Sequence, residues 1–127
     1  MRTLTFADEH LYDGHKAFVW VRIFGRSVEV NLDMILDTGA SLTLLNRKLI
    51  PVLRLDVERG EPIDVMVANK EVARAYVHEL VIDFLGRRMI VPAAICPDWD
   101  TQNLLGMQGF FEQMVVAFDH AERRIYF

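Results

Sequence analysis

The strongest constraint on this chain's fold is a two-residue hydrophobic period that recurs along most of its length. Val28, Val30, Leu32 and Met34 alternate with Glu29, Asn31 and Asp33, and residues 72–84 alternate again through Tyr76, His78, Leu80, Ile82 and Phe84. Alternation of this kind places every second side chain on one face of a strand. The run FVWVRIF, Phe18 to Phe24, is apolar at nearly every position and predicts a strand covered on both faces. Gly25-Arg26-Ser27 and Leu85-Gly86 interrupt the pattern and read as hairpin turns. Pro92 and Pro97 predict an edge or irregular strand over MIVPAAIC, since proline cannot donate to a ladder. Helix is confined to short pieces: Asn46 reads as an N-cap for RKLI, Pro51 limits that helix, and MQGFFEQM has room for one or two turns. VVAFD and RRIYF read as a closing strand pair. The expectation is an all-β domain, a closed or partly closed β-barrel with one or two short helices.

At 127 residues the chain fits one domain with a core that needs no disulfide staples. Its 14 basic and 18 acidic residues give a formal charge of −4, which argues against nucleic acid as the main partner. Cys96 stands alone and lies in an apolar run, so a buried structural thiol is expected. No stretch approaches the ~18 apolar residues of a membrane helix, and no membrane partner is expected. The N-terminal residues lack an apolar core of signal-peptide length, and the expected location is cytoplasmic. His10 and His15 are too poorly spaced to share a helix face, and the acidic pair Asp98 and Asp100 lacks further ligands, so no metal site is expected. Trp99 reads equally well as an interaction anchor or a loop cap. His78 reads as a packed or rim histidine.

One stretch stands apart. Met34, Ile35 and Leu36 run directly into Asp37, then Thr38, Gly39, Ala40 and Ser41. A carboxylate behind a buried strand is costly unless it is paired or hydrogen-bonded, and its acidity should be shifted. Thr38 adds a hydroxyl, Gly39 permits a close approach, Ala40 leaves room for packing, and Ser41 can anchor the turn through its hydroxyl.

Taken with Leu104-Leu105-Gly106 and the terminal Phe118-Asp119 and Arg124-Ile125-Tyr126-Phe127, this stretch resembles the retropepsin-like aspartic proteases, in particular the bacterial single-domain members. The resemblance covers residues 17–127 and leaves residues 1–16 as an N-terminal arm of unknown order. It implies a retropepsin-like barrel, Asp37 as the catalytic residue, and Thr38, Gly39, Ala40 and Ser41 as the active-site turn. It further implies that Leu104, Leu105 and Gly106 pass behind that turn, and that Val67, Ala68, Asn69 and Lys70 form the tip of a flap. Thr38 would bond across a dimer axis. No cofactor and no metal are implied.

Only one Asp-Thr-Gly is present, so aspartic proteolysis requires a second carboxylate from another copy. The implied protein is a homodimeric aspartic endopeptidase acting on extended polypeptide. The chain departs from the family at two places: the candidate flap has no glycine, and Met107-Gln108 replaces a basic residue followed by Asn or Asp. These departures motivate the alternative, a non-catalytic peptide-binding or scaffold module of the same fold.

Overall fold

The computed structural model describes residues 1–127, with the side chain of Ala68 excepted. Ten strands follow in chain order: β1 (Glu9–Leu11), β2 (Phe18–Phe24), β3 (Glu29–Leu36), β4 (Thr43–Leu45), β5 (Glu61–Met66), β6 (Val72–Phe84), β7 (Arg87–Ile95), β8 (Leu104–Leu105), β9 (Ala117–Asp119) and β10 (Arg124–Tyr126). The single α-helix, α1 (Leu49–Val52), is one turn long. The main sheet runs β2-β3-β8-β4-β7-β6-β5, and an added β2–β6 pairing turns six of these strands into a ring. β5 lies outside the ring, attached only to β6. The expected barrel is therefore present, closed through Arg22↔Asp83, Ile23↔Ile82 and Phe24↔Val81.

The core follows from the strand period, with two departures. In β2, Val19, Val21 and Ile23 are almost wholly buried, but Phe18 and Trp20 on the opposite face are 36% and 60% exposed. The expectation of a strand covered on both faces is thus wrong for β2. Its outer side chains are apolar without being covered, which periodicity alone cannot reveal.

The second departure is in β6. Its first half buries Ala73 and Ala75, while its second half buries Leu80, Ile82 and Phe84. Odd and even residues of a strand face opposite ways, so the two halves bury opposite faces. The second half feeds the main core, where Phe84 packs edge-on against Phe110 and Phe127 at centroid distances of 5.3 and 4.8 Å. The first half feeds a smaller cluster of Ala73, Ala75, Ala94 and Cys96. β7 touches both, with Ala93 and Ile95 in the main core and Ala94 in the second, joined there by Cys96 just after the strand.

The prolines keep their sequence reading, and the expected cap does not. β7 is flanked by both β6 and β4 only over residues 93–95; over residues 87–92 it pairs with β6 alone and is a local edge, as its proline suggests. Pro92 lies one residue before the stretch paired to β4, Ala93–Ile95, where that side of β7 has no ladder partner to lose. Asn46 does not cap α1, which starts three residues later. Its Oδ1 instead accepts the Lys48 N–H at 2.9 Å, and its Nδ2 donates to the Thr101 carbonyl at 2.7 Å. Pro51 fits inside α1 because first-turn N–H groups have no helical acceptor. MQGFFEQM yields a 3₁₀ turn at Phe111–Gln113.

The N-terminal arm is tied to the end of the chain. β1 pairs antiparallel with β10, which pairs with β9, giving a separate three-stranded sheet. The Ala7 and Asp8 N–H groups both donate to a main-chain oxygen of Phe127, at 2.8 and 3.2 Å. Tyr12 Oη is hydrogen-bonded to His120 Nδ1, joining the end of the arm to the residue after β9.

Candidate active site

β3 delivers Asp37 to the end of the ring. The Leu36 N–H donates to the Ala17 carbonyl at 2.9 Å, and the Asp37 N–H donates to the Leu105 carbonyl at 3.0 Å. The strand is thus held on both sides up to the residue that leaves it. The chain then turns tightly, with the Ala40 N–H donating to the Asp37 carbonyl at 3.2 Å. Asp37 Oδ1 accepts the Gly39 N–H at 2.9 Å, the side-chain turn that Asp forms readily. A Cβ on Gly39 would lie 3.2 Å from that oxygen, a tight contact that glycine avoids. Asp37 is half-buried, and its Oδ2 takes no hydrogen bond from any described residue.

Behind the turn, β8 is inserted between β3 and β4. It runs parallel to β3 (Ile35↔Leu104, Leu36↔Leu105) and antiparallel to β4 (Leu44↔Leu104). Gly106 follows at a point of very close approach: an added Cβ would sit 2.5 Å from the carbonyl carbon and oxygen of Leu42 and 2.9 Å from the Ala40 oxygen. The next two amides bond the turn directly, Met107 N–H to the Ala40 carbonyl at 2.9 Å and Gln108 N–H to the Ser41 carbonyl at 3.0 Å. Ser41 therefore holds the loop through its carbonyl, where the sequence suggested its hydroxyl.

The hydroxyl that matters belongs to Thr43, which is 3% exposed and whose Oγ1 accepts the Gly106 N–H at 3.1 Å. Sequence reasoning passed over Thr43; the available signal was a lone hydroxyl within the apolar run LTLL. It also passed over Asn103, whose Oδ1 accepts the Asn46 N–H at 2.7 Å and whose carbonyl accepts the Ile35 N–H at 3.0 Å. Asn103 thereby ties the approach to β8 both to the approach to α1 and to β3 just ahead of Asp37.

The remaining candidates fall into two groups. β5 and β6 form a hairpin whose tip contains Val67, Asn69 and Lys70, with the Val67 N–H donating to the Glu71 carbonyl at 2.8 Å. The side chain of Ala68, also named for this tip, lies outside the described residues. Without a glycine, the tip turns through two consecutive left-handed residues, Asn69 (φ 65°) and Lys70 (φ 60°). The hairpin's apolar side chains, among them Val65 and Val67, pack against the smaller cluster, and Leu42 packs against the same cluster. Leu42 follows Ser41, so the hairpin and the Asp37 turn share one apolar contact region.

Trp99 packs against the same cluster, half-buried, which favours its reading as a loop cap. Burial pushes the Cys96 thiol above its ordinary pKa of 9.0. His78 is packed, with Nε2 2.8 Å from the Val57 carbonyl. Asp100 pairs with Arg47 at 2.9 Å. Among the described residues, no three His, Cys, Asp or Glu side chains converge on a point that could hold a metal ion.

A β-ring with an Asp-Thr-Gly turn at one end, a Leu-Leu-Gly strand threaded behind it and a hairpin packed beside it defines the class of aspartic-protease-like barrels. The aspartyl protease family model matches residues 19–108, most of the chain, and the chain belongs to that family. No curated protein matches the chain by sequence.

Proposed function

We propose that the protein is an aspartic endopeptidase whose active unit is a homodimer, with Asp37 of each copy forming the catalytic pair. The observation that carries this reading is the state of Asp37. Its Oδ1 is occupied by the Gly39 N–H, while Oδ2 is left for another partner on a half-buried turn. The chain carries a single Asp-Thr-Gly, so the second carboxylate comes from a second copy, most simply across a two-fold axis. Thr38 supports the same arrangement: it is exposed, and its hydroxyl bonds to no described residue, leaving it able to reach the other copy's turn.

Two carboxylates about 3 Å apart cannot both ionise, so the pair keeps one proton and titrates as a unit. The ionised member removes a proton from a water held between them, and that water attacks the scissile carbonyl carbon. The protonated member donates to the carbonyl oxygen as the tetrahedral intermediate forms. Collapse of the intermediate breaks the C–N bond as a proton passes to the leaving nitrogen. The amides of Asp37, Met107 and Gln108 hold the turn during these steps and take no part in the chemistry. An extended substrate would lie between the turn and the β5–β6 hairpin.

The test is cleavage of an unfolded protein across pH by wild type and Asp37→Asn, with sedimentation of both. Asn keeps an Oδ1 acceptor for Gly39, so the variant should fold and dimerise but not cleave. Activity that survives the substitution, or a strict monomer that cleaves, overturns the proposal. Peptide binding without cleavage by the wild type would establish the non-catalytic module instead.

A further inference from the structure

The outer face of β2 and β3 carries a groove that the proposed chemistry does not use. Trp20 is 60% exposed and lies directly across from Asp33, while Phe18 lies across from Ile35. Leu11, from the arm, is 64% exposed and lines a cleft of about 280 Å³ with Asp13, Phe18, Trp20 and Asp33. A second cleft of about 390 Å³ shares Phe18 and Asp33 with the first and continues to Ile35, two residues before Asp37. The two clefts thus form one path from the arm to the neighbourhood of the catalytic turn.

The path has a definite chemistry. Leu11, Phe18 and Trp20 are apolar side chains grouped in solvent, an arrangement that marks an interaction surface more often than isolated exposed residues do. Asp13 and Asp33 sit among them. The ion pairs among the described residues use Asp56, Asp64, Asp100 and Glu9, and neither Asp13 nor Asp33 enters one. An exposed indole beside unengaged carboxylates suits a cation, which gains from the aromatic face and from the negative charge together. His10 lines the first cleft and Lys48 the far end of the second, and Arg22, next after Trp20 on the outer face, donates from Nε to Asn31 Oδ1 at 3.4 Å, so the carboxylates within the clefts are Asp13 and Asp33.

We infer that this groove is an exosite for the substrate polypeptide, holding a segment in which a Lys or Arg side chain stands next to an apolar one, outside the residues around the scissile bond. The inference rests on the endopeptidase reading. It names the substrate class: polypeptides with a basic, apolar flanking segment. Phe18 and Trp20 take the apolar side chain, and Asp13, Asp33 and the Trp20 ring take the cation.

The experiment uses the full chain carrying Asp37→Asn, so that binding is read without turnover. The probes are two fluorescein-labelled peptides of alternating Lys and Phe, or Glu and Phe, followed by anisotropy at low and high salt. The Lys peptide should bind at least about tenfold more tightly, with the preference shrinking in salt. Trp20→Ala and the double variant Asp13→Asn/Asp33→Asn should each weaken it about tenfold, and Asp33→Lys should transfer the preference to the Glu peptide. All these positions are exposed, and the Asp33→Lys swap distinguishes a lost site from a lost fold because it predicts a gain. Equal affinity for the two peptides, or affinities unmoved by the variants, overturns the exosite. A shift from dimer to monomer in Trp20→Ala overturns it too, by assigning the groove to a contact between copies. Wild type that fails to cleave, with peptide binding as expected, removes the endopeptidase reading and leaves the groove's ligand class standing.

Discussion

The Thr43 hydroxyl accepts the Gly106 N–H at 3.1 Å in the interior of the protein, joining the strand that follows the Asp37 turn to the residue that passes behind it. Both groups are out of reach of water, so each depends on the other. Thr43→Val keeps the shape and strands a buried donor, a change that costs about 1–3 kcal/mol. Urea denaturation should show this loss, and Thr43→Ser should recover most of it. Equal stability of the Val variant and wild type would show that the bond contributes nothing.

Gly106 tests the same contact from the other side. A Cβ there would lie 2.5 Å from backbone atoms of Leu42, which cannot move without moving the turn. Gly106→Ala should destabilise the chain by about 3 kcal/mol. Any folded fraction should lose cleavage activity more than its stability loss explains, because the displaced atoms belong to the Asp37 loop. Activity per folded molecule, measured below the melting transition, checks this.

At the hairpin tip, Lys70 holds φ at 60° with a side chain that disfavours it. Lys70→Gly should raise stability by about 0.5 kcal/mol, the relieved strain outweighing the extra freedom of the unfolded chain. Lys70→Val, with a branched Cβ, should lower it by at least about 1 kcal/mol. A thermal melt of the three proteins orders them; a Val variant as stable as wild type would contradict the left-handed turn.

Cys96 provides a pH prediction. Burial raises its pKa in the folded state above 9.0, so the folded chain holds the proton more tightly than the unfolded one. That advantage has no effect below the unfolded value and turns into a loss of stability as pH rises through it, since the unfolded thiol then ionises first. Folded protein should resist iodoacetamide at neutral pH and react on unfolding. Cys96→Ala should remove the part of the stability decline above about pH 9 that the thiol causes.

Much of this was legible in the chain. Val28 to Met34 and residues 72–84 announce their strands by period alone, and Leu85-Gly86 marks a hairpin, with both residues at positive φ. The site's two components, Asp37-Thr38-Gly39 and Leu104-Leu105-Gly106, were visible as motifs, and the structure brings them together through the Asp37 amide and the Leu105 carbonyl. What escaped was long-range. Alternation says which side chains share a face, but it does not say which face is covered. This is why β2's outer surface and the exchange of buried faces along β6 were missed. Thr43 and Asn103 acquire their roles from partners some sixty residues away, and no local pattern records those. The pairing of β1 with β10 is of the same kind.

β6 has a mechanical consequence. Its first half carries the hairpin and its second half closes the ring, with no break between them. The hairpin is therefore a cantilever whose root is built into the wall. His78 sits at that root, where its ring is packed so closely to Gly60 that a Cβ there would lie 2.6 Å from Nε2. With the root clamped, opening the hairpin takes flexure along the strand itself rather than rotation at a hinge. Load applied at the tip is then delivered to Leu80, Ile82 and Phe84, in the middle of the hydrophobic core.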